Sequence, residues 1–152
     1  MRFTLWLLAV ALVATSRSAA AQVSVIPVRD LAFGPVIVGV PTQIPPSHPV
    51  RSGQFRLTAP PQTRMRFRLT LPNRLDGPAG ATLPISFNNT DGIVVGTAPN
   101  SVPETFNPKA TKIFEDAAST TIHVFIGGTV SPAGNQPPGN YTGTITFTVT
   151  IF

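Results

Sequence analysis

Tyr141-Thr142-Gly143-Thr144-Ile145-Thr146-Phe147-Thr148-Val149-Thr150-Ile151-Phe152 is the last stretch of the sequence, and its pattern decides the fold class. From Thr144 onward, threonine alternates strictly with Ile, Phe, Val and Ile, a period of two that is typical of a half-buried strand. A second apolar run, residues 122–130, precedes it. The segment between the two runs, residues 131–140, contains three prolines and two glycines, which indicate a turn. The two runs therefore predict a hairpin-like antiparallel pair of strands.

Six further segments predict short strands, because β-branched and aromatic residues in them are bounded by Pro, Gly, Asn and Asp. These segments are residues 23–28, 35–40, 53–58, 64–71, 81–87 and 93–96. The cleanest is 64–71, which places Met65, Phe67, Leu69 and Leu71 on one face and arginines on the other. Pro27 cannot donate a ladder hydrogen bond, so the first strand is expected at a sheet edge.

Two regions carry no strand pattern. Residues 41–48 form a proline-rich stretch and are expected to be a surface loop. Residues 97–118 are interrupted by prolines and are expected to be the most mobile region, with room for one helical turn over 112–118. Seven to eight short strands and no amphipathic helix predict an all-β fold, an antiparallel β-sandwich; a closed barrel is disfavoured because proline-containing strands belong at edges.

The N-terminal residues predict a secretory signal peptide. Arg2 is followed by an apolar run, residues 5–14, and by small residues at 19–21. Cleavage is expected after Ala21, with Ala20 as the alternative, which divides the chain into a signal peptide (residues 1–21) and one β-sandwich domain (residues 22–152). A membrane anchor is the competing interpretation, but ten apolar residues are short for a bilayer. We therefore expect export to the periplasm, the cell surface or the extracellular space, with no membrane span after removal of the signal.

Composition limits the chemistry that the domain can perform. Removing 21 residues from the 152 leaves 131, which suits one domain. Arg2 and Arg17 leave with the signal peptide, so nine of the eleven Lys and Arg residues remain against six Asp and Glu residues, and the net charge falls from +5 to +3. The sequence has no cysteine, which excludes disulfides, thiol catalysis and thiolate metal sites.

A resemblance to a known family rests on several segments in a fixed order. They are Leu31-Ala32-Phe33-Gly34, Gly53-Gln54-Phe55, Gly127-Gly128-Thr129-Val130, and residues 136–144 with the threonine-alternating strand after them. Together they resemble a family of bacterial secreted β-domains catalogued as domain of unknown function 4402 (DUF4402), which looks similar to pilin and spore-coat-protein-U-like subunits. The resemblance implies an immunoglobulin-like sandwich, export, a structural or adhesive role, and no catalytic residue.

Histidines and carboxylates give little sign of a catalytic or metal site. His48 lies in the proline-rich loop, and His123 alternates with apolar residues in a strand and is expected to face outward. The six carboxylates are scattered over loops and form no acid pair. No phosphate-binding loop or nucleophile motif occurs. We therefore expect no enzyme activity, no metal and no cofactor.

An arginine stripe is the strongest candidate for binding. Arg64, Arg66 and Arg68 share one strand face, and Arg56 is expected to join them from the neighbouring strand. One interpretation is a solvated face that discourages aggregation. The other is an anion-binding surface for an acidic glycan or a lipid head group, which would make the protein a monomeric binding module. Nucleic acid is not expected, because Tyr141 is the only tyrosine and no interleaving of aromatic and basic residues marks a platform on which bases could stack.

Two apolar rows are candidates for pairing with another chain. One consists of Val23 and Val25 and the other of Ile145, Phe147, Val149 and Ile151. In pilin-like systems, as the resemblance implies, subunits and a periplasmic chaperone join through donated strands. The alternative is that both strands complete the domain's own sandwich. The sequence leaves both interpretations open. If the rows pair with another chain, like subunits or a periplasmic chaperone are the expected partners.

Overall fold

The fold is all-β in the computed structural model, which describes residues 23–115 and 119–152. These residues form twelve strands and one 3₁₀ turn, Pro78–Gly80, with no α-helix among them. The predicted signal peptide, residues 1–21, lies outside the described residues. The strands are β1 (Ser24–Arg29), β2 (Thr42–Ile44), β3 (Gly53–Thr58), β4 (Arg64–Thr70), β5 (Arg74–Asp76), β6 (Thr82–Ser86), β7 (Gly92–Gly96), β8 (Glu104–Phe106), β9 (Lys112–Glu115), β10 (Thr121–Ile126), β11 (Gly128–Val130) and β12 (Thr146–Ile151).

The predicted count of seven to eight strands is too low. Five of the observed strands have only three or four residues: β2, β5, β8, β9 and β11. Strands this short do not display a period of two, so the pattern does not detect β2, β5, β8 and β9. β11 lies within the predicted run 122–130, which the structure divides into two strands. Residues 112–118 were expected to allow a helical turn. Lys112–Glu115 is instead strand β9, paired with β4, and residues 116–118 lie outside the described residues.

The strands form three antiparallel sheets. The five-stranded sheet has the order β1-β3-β10-β7-β8, the four-stranded sheet β2-β11-β6-β5, and the three-stranded sheet β12-β4-β9. Because β1 ends the five-stranded sheet, the expectation that Pro27 places the first strand at an edge is confirmed.

The two C-terminal runs do not form the predicted hairpin. β10 pairs with β3 and β7, β11 pairs with β2 and β6, and β12 pairs with β4. The chain passes from the five-stranded sheet to the four-stranded sheet at Gly127, between β10 and β11. A linker as long as residues 131–140 sets no register, so tertiary packing decides the partners of these strands.

The sheets stack as a sandwich, and aromatic side chains join the layers. The ring centroid of Phe67 on β4 lies 5.3 Å from that of Phe106 on β8, in a T-shaped arrangement, and 5.2 Å from that of Phe147 on β12. Phe55 of β3 lies 5.1 Å from Phe147. As predicted, Met65, Phe67 and Leu69 are buried while the arginines between them are exposed. The alternation of β4 therefore separates the core from the outer surface.

Residues 35–48 depart from the sequence expectation. Residues 35–40 were predicted to be a strand, but they contain a turn in which the Val40 N–H donates to the Ile37 carbonyl. Gly39 adopts a positive φ of 73° there, a conformation that β-branched residues rarely adopt, and its N–H donates to the Pro132 carbonyl. Strand β2 instead forms within the proline-rich stretch expected to be only a loop.

Candidate functional site

One side of the sandwich is closed. There β8, an edge strand of the five-stranded sheet, meets β9, an edge strand of the three-stranded sheet. The Lys112 ammonium of β9 donates to the Glu104 carboxylate of β8. Phe106 of β8 covers the core next to this ion pair and is 6% exposed. An exposed ion pair contributes little stability by itself, so the closure of this side depends on the aromatic packing.

The opposite side of the sandwich is open. The contacts of Phe147 with Phe55 and Phe67 place β12 over β3, next to β1. Both edge strands, β1 and β12, therefore lie on this side. The predicted strand-pairing residues Val23, Val25, Ile145, Phe147 and Val149 are only partly buried against the core, and Ile151 is 37% exposed.

The structure brings the two predicted apolar rows to the same side of the sandwich, but each strand pairs within its own chain. β1 runs antiparallel to β3, with Val25 opposite Leu57. β12 runs antiparallel to β4, with Val149 opposite Phe67. The outer edges of both strands carry no further strand among residues 23–115 and 119–152.

A groove of about 1280 Å³ continues from this open side between the layers. Its walls come from residues 29–38 on one side and residues 136–145 on the other, and core side chains form its floor. The floor includes Phe55, Leu75, Leu83 and Ile85. Apolar lining of this kind is typical of a site that receives an apolar segment or ligand.

Polar contacts hold the two walls of the groove. The Arg29 guanidinium donates to the Ser52 carbonyl at 2.7 Å and to the Ser52 hydroxyl at 2.8 Å. On the other wall, the Gln136 amide donates to the Tyr141 hydroxyl at 2.7 Å, which donates in turn to the Pro137 carbonyl at 2.7 Å. Sequence reasoning missed this groove, because no pattern in residues 29–38 or 136–145 indicates that these two segments form opposite walls of one site. The lone Tyr141 among turn residues was the available signal.

The predicted arginine stripe lies on the outer face of the three-stranded sheet. Arg64 forms an ion pair with Glu115 at 3.8 Å, and the Phe152 ring lies 5.0 Å from the Arg64 guanidinium and 5.1 Å from that of Arg66. Arg68 stands opposite Thr148 and has no ion-pair partner within the described part of the chain. Its charge is therefore available to an external anion.

Arg56 does not join the stripe. It lies on β3, which pairs with β1 and β10 in the five-stranded sheet and not with β4, so the expectation that a neighbouring strand adds it is wrong. Arg56 stands opposite His123 instead. Partial burial and the Arg56 charge lower the pKa of His123, so its imidazole, 3.1 Å from the Gln54 amide, is held more strongly in the neutral form.

The other titratable groups named by the sequence have structural contacts. The His48 Nδ1 accepts the N–H groups of Val50 and Arg51 at 3.2 and 3.1 Å. Asp91 is 2% exposed and accepts the Asn88 N–H at 2.6 Å, which ties the turn before β7. Among residues 23–115 and 119–152, no three His, Cys, Asp or Glu side chains are grouped so that they could hold a metal ion.

Comparison with known proteins gives one family and no curated relative. The family model described as "Domain of unknown function (DUF4402)" matches residues 19–151. None of the curated proteins matches the chain. In the part of the chain that the structure describes, no helix is long and apolar enough to cross a membrane.

Proposed function

Because the chain belongs to the DUF4402 family, whose description leaves the function open, we propose that it is a non-catalytic, exported, pilin-like structural or adhesive subunit of the bacterial periplasm or cell surface. It joins its neighbours, like subunits or a chaperone, by strand addition at the open side of the sandwich. The observation that carries the proposal is the asymmetry of the two sides. An ion pair and packed aromatic rings close one side, whereas two edge strands, an apolar row and a groove remain open on the other.

Strand addition is the mode of association that this geometry favours. An edge strand presents unpaired backbone N–H and C=O groups, which bind an extended segment without any special side chain. The partly exposed row of Ile145, Phe147 and Val149 would be covered by the added strand. Burial of each apolar side chain contributes roughly 25 cal/mol per Å² removed from water, so hydrogen bonding and burial act together at this edge.

Placing a charge on the outer edge is expected to break the assembly. Thr148 is an exposed residue of β12, and the variant Thr148→Glu places a charge on an edge strand, a device by which natural proteins discourage edge pairing. We expect the wild-type protein in large surface assemblies of the producing bacterium and the variant as a monomer of the exported fraction. The measurement is the mass of the exported and surface-sheared fractions by size-exclusion chromatography with light scattering.

The matched control is Thr58→Glu, which places the same change on an exposed residue of β3 in the five-stranded sheet. It should leave the assemblies intact. A wild-type protein that remains monomeric in every fraction would overturn the proposed function, and equal effects of the two substitutions would overturn the role of β12.

A second function, a monomeric binding module for an anionic glycan or lipid head group, is favoured by the arginine stripe. The double variant Arg66→Ser/Arg68→Ser is expected to weaken retention on an immobilised sulfated glycan, because about two fewer counterions are released on binding. Affinity at low salt should fall by about tenfold, a change of about 1.4 kcal/mol. The measurement is the salt concentration at which the protein elutes.

The control for this prediction removes the same charge elsewhere. Arg56→Ser/Arg74→Ser changes two exposed arginines of β3 and β5, which lie in the other two sheets. If both double variants lose retention equally, net charge accounts for binding and the stripe is not a site.

A further inference from the structure

The three sheets have six edges, and most carry a feature that discourages pairing. β1 contains Pro27, and its pairing with β3 is irregular between Pro27 and Arg29, as in a bulge. β8 and β9 are short and charged, and the pair Lys112–Glu104 joins them. Proline, bulges, charge and shortness are the devices by which proteins protect sheet edges.

The edges of the four-stranded sheet are also protected. β2 has three residues, Thr42–Ile44, and prolines stand directly before and after it. β5 is covered by residue 142, because the backbone groups of Asp76 and Thr142 exchange hydrogen bonds of 2.8 and 2.9 Å. Neither edge offers a long run of unpaired backbone groups.

β12 is the exception. Its six residues, Thr146–Ile151, include no proline, glycine or charge, and it pairs only with β4 among the described residues. All six are threonine, β-branched or aromatic residues that favour extended backbone. An edge of this length and composition can bind another strand unless something covers it.

The side chains of β12 specify what a docked strand would present inward. Phe147 and Val149 point to the core and are only partly buried. Ile145, the residue directly before β12, lines the groove, so the groove opens next to the first residues of this strand. Because side chains alternate between faces, a docked strand must place apolar residues at every second position to cover this row.

The outer face of the three-stranded sheet indicates which charge a strand docked on β12 would carry. Thr150 stands opposite Arg66, and Thr148 stands opposite Arg68. A strand docked on β12 lies two strand spacings from β4, roughly 9.5 Å, a span that an arginine and a carboxylate side chain cover together. A second copy docked edge to edge through its own β12 would place threonines and no carboxylate beside this stripe, so self-pairing would gain no ion pair.

From this we propose that the free edge of β12 binds an extended segment of another protein in which apolar residues alternate with Asp or Glu. The inference rests on the proposed function and names the partner class for the same side of the sandwich. No stretch of this sequence alternates apolar with acidic residues over several positions, which points to a partner other than a second copy.

Three synthetic peptides of eight residues test the partner class, with Val alternating with Glu, Ser or Lys. Binding is measured by titration into the isotope-labelled protein, produced from the full chain, with backbone amide shifts as the readout. We expect the Glu peptide to bind about tenfold more tightly than the Ser peptide, the sum of a few exposed ion pairs. The Lys peptide should be the weakest, and shifts should be centred on residues 146–151.

Two controls separate strand docking from general attraction. N-methylation of the Glu peptide on the residues whose N–H groups face β12 should abolish binding, and N-methylation of the alternate residues should leave it intact. The variant Arg66→Ser/Arg68→Ser should equalise the Glu and Ser peptides, whereas Arg56→Ser/Arg74→Ser should preserve the preference.

The outcomes that overturn the inference are distinct from those that overturn the proposed function. Equal affinity for the Glu and Ser peptides, shifts elsewhere on the protein, or self-association through residues 146–151 without peptide binding would each overturn it. If one of these occurs while Thr148→Glu still releases the protein from surface assemblies, the proposed function stands. If the Glu peptide docks as expected but the exported protein is always monomeric, the proposed function fails.

Discussion

Replacing Phe67 with alanine is expected to lower the free energy of unfolding by about 3–5 kcal/mol, the usual cost of truncating a buried phenylalanine. Phe67 is 1% exposed and contacts the rings of Phe106 and Phe147 at 5.3 and 5.2 Å. Phe106 belongs to the closed side of the sandwich and Phe147 to the open side, so Phe67 packs against both sides. Since small domains have roughly 5–15 kcal/mol of stability in total, this loss is a large fraction of the free energy of unfolding. Urea denaturation followed by circular dichroism measures the loss.

Phe152→Ala provides the matched control for this prediction. Phe152 is 58% exposed and lies over Arg64 and Arg66 on the outer face. Its truncation should cost below about 1 kcal/mol, the range of an exposed cation–π contact. Equal losses in the two variants would mean that Phe67 does not join the two layers as described.

The strands that the sequence predicted correctly are those with enough residues to show a period. β3, β4 and β12 each have six or seven residues, and their alternation assigns an inner and an outer face. The inner row of β4 and the exposed arginines between its members follow directly from that alternation. This is why the sequence predicts the stripe of Arg64, Arg66 and Arg68 correctly, whereas the addition of Arg56 required knowledge of which strands are neighbours.

Pairing partners are a different kind of information, and the sequence carries little of it here. Whether β12 pairs with β10 or with β4 depends on contacts between residues far apart in the chain, such as Val149 with Phe67. Alternation is the same in both cases. The open side of the sandwich, and therefore the candidate site, follows from those partners and could not be predicted from any single segment.

Replacing Gly127 with alanine is expected to be the second most damaging change. Gly127 joins β10 to β11 where the chain passes from one sheet to another, and its N–H donates to the Asp91 carbonyl at 2.8 Å. A Cβ atom at this position would overlap the Ile44 carbonyl oxygen and lie 2.7 Å from the Pro46 nitrogen. These are backbone atoms of the segment that includes β2, so they cannot move aside as a flexible side chain can. We expect a loss of about 1–3 kcal/mol, the cost of overpacking, measured by urea denaturation.

Gly134→Ala makes the same change where the structure leaves space, and its expected effect has the opposite sign. A Cβ atom on Gly134 would meet no heavy atom within 4 Å. Alanine there mainly reduces the freedom of the unfolded chain, which stabilises a protein by up to about 1 kcal/mol. Amide exchange at Thr129 and Val130 then distinguishes two causes of the stability loss in Gly127→Ala. Faster exchange confined to β11 and β2 indicates local separation of these strands, whereas faster exchange in all strands indicates destabilisation of the whole domain. If both glycine variants instead gain stability, the close approach of Ile44 and Pro46 to Gly127 is not a constraint on the fold, and the passage between sheets does not require glycine.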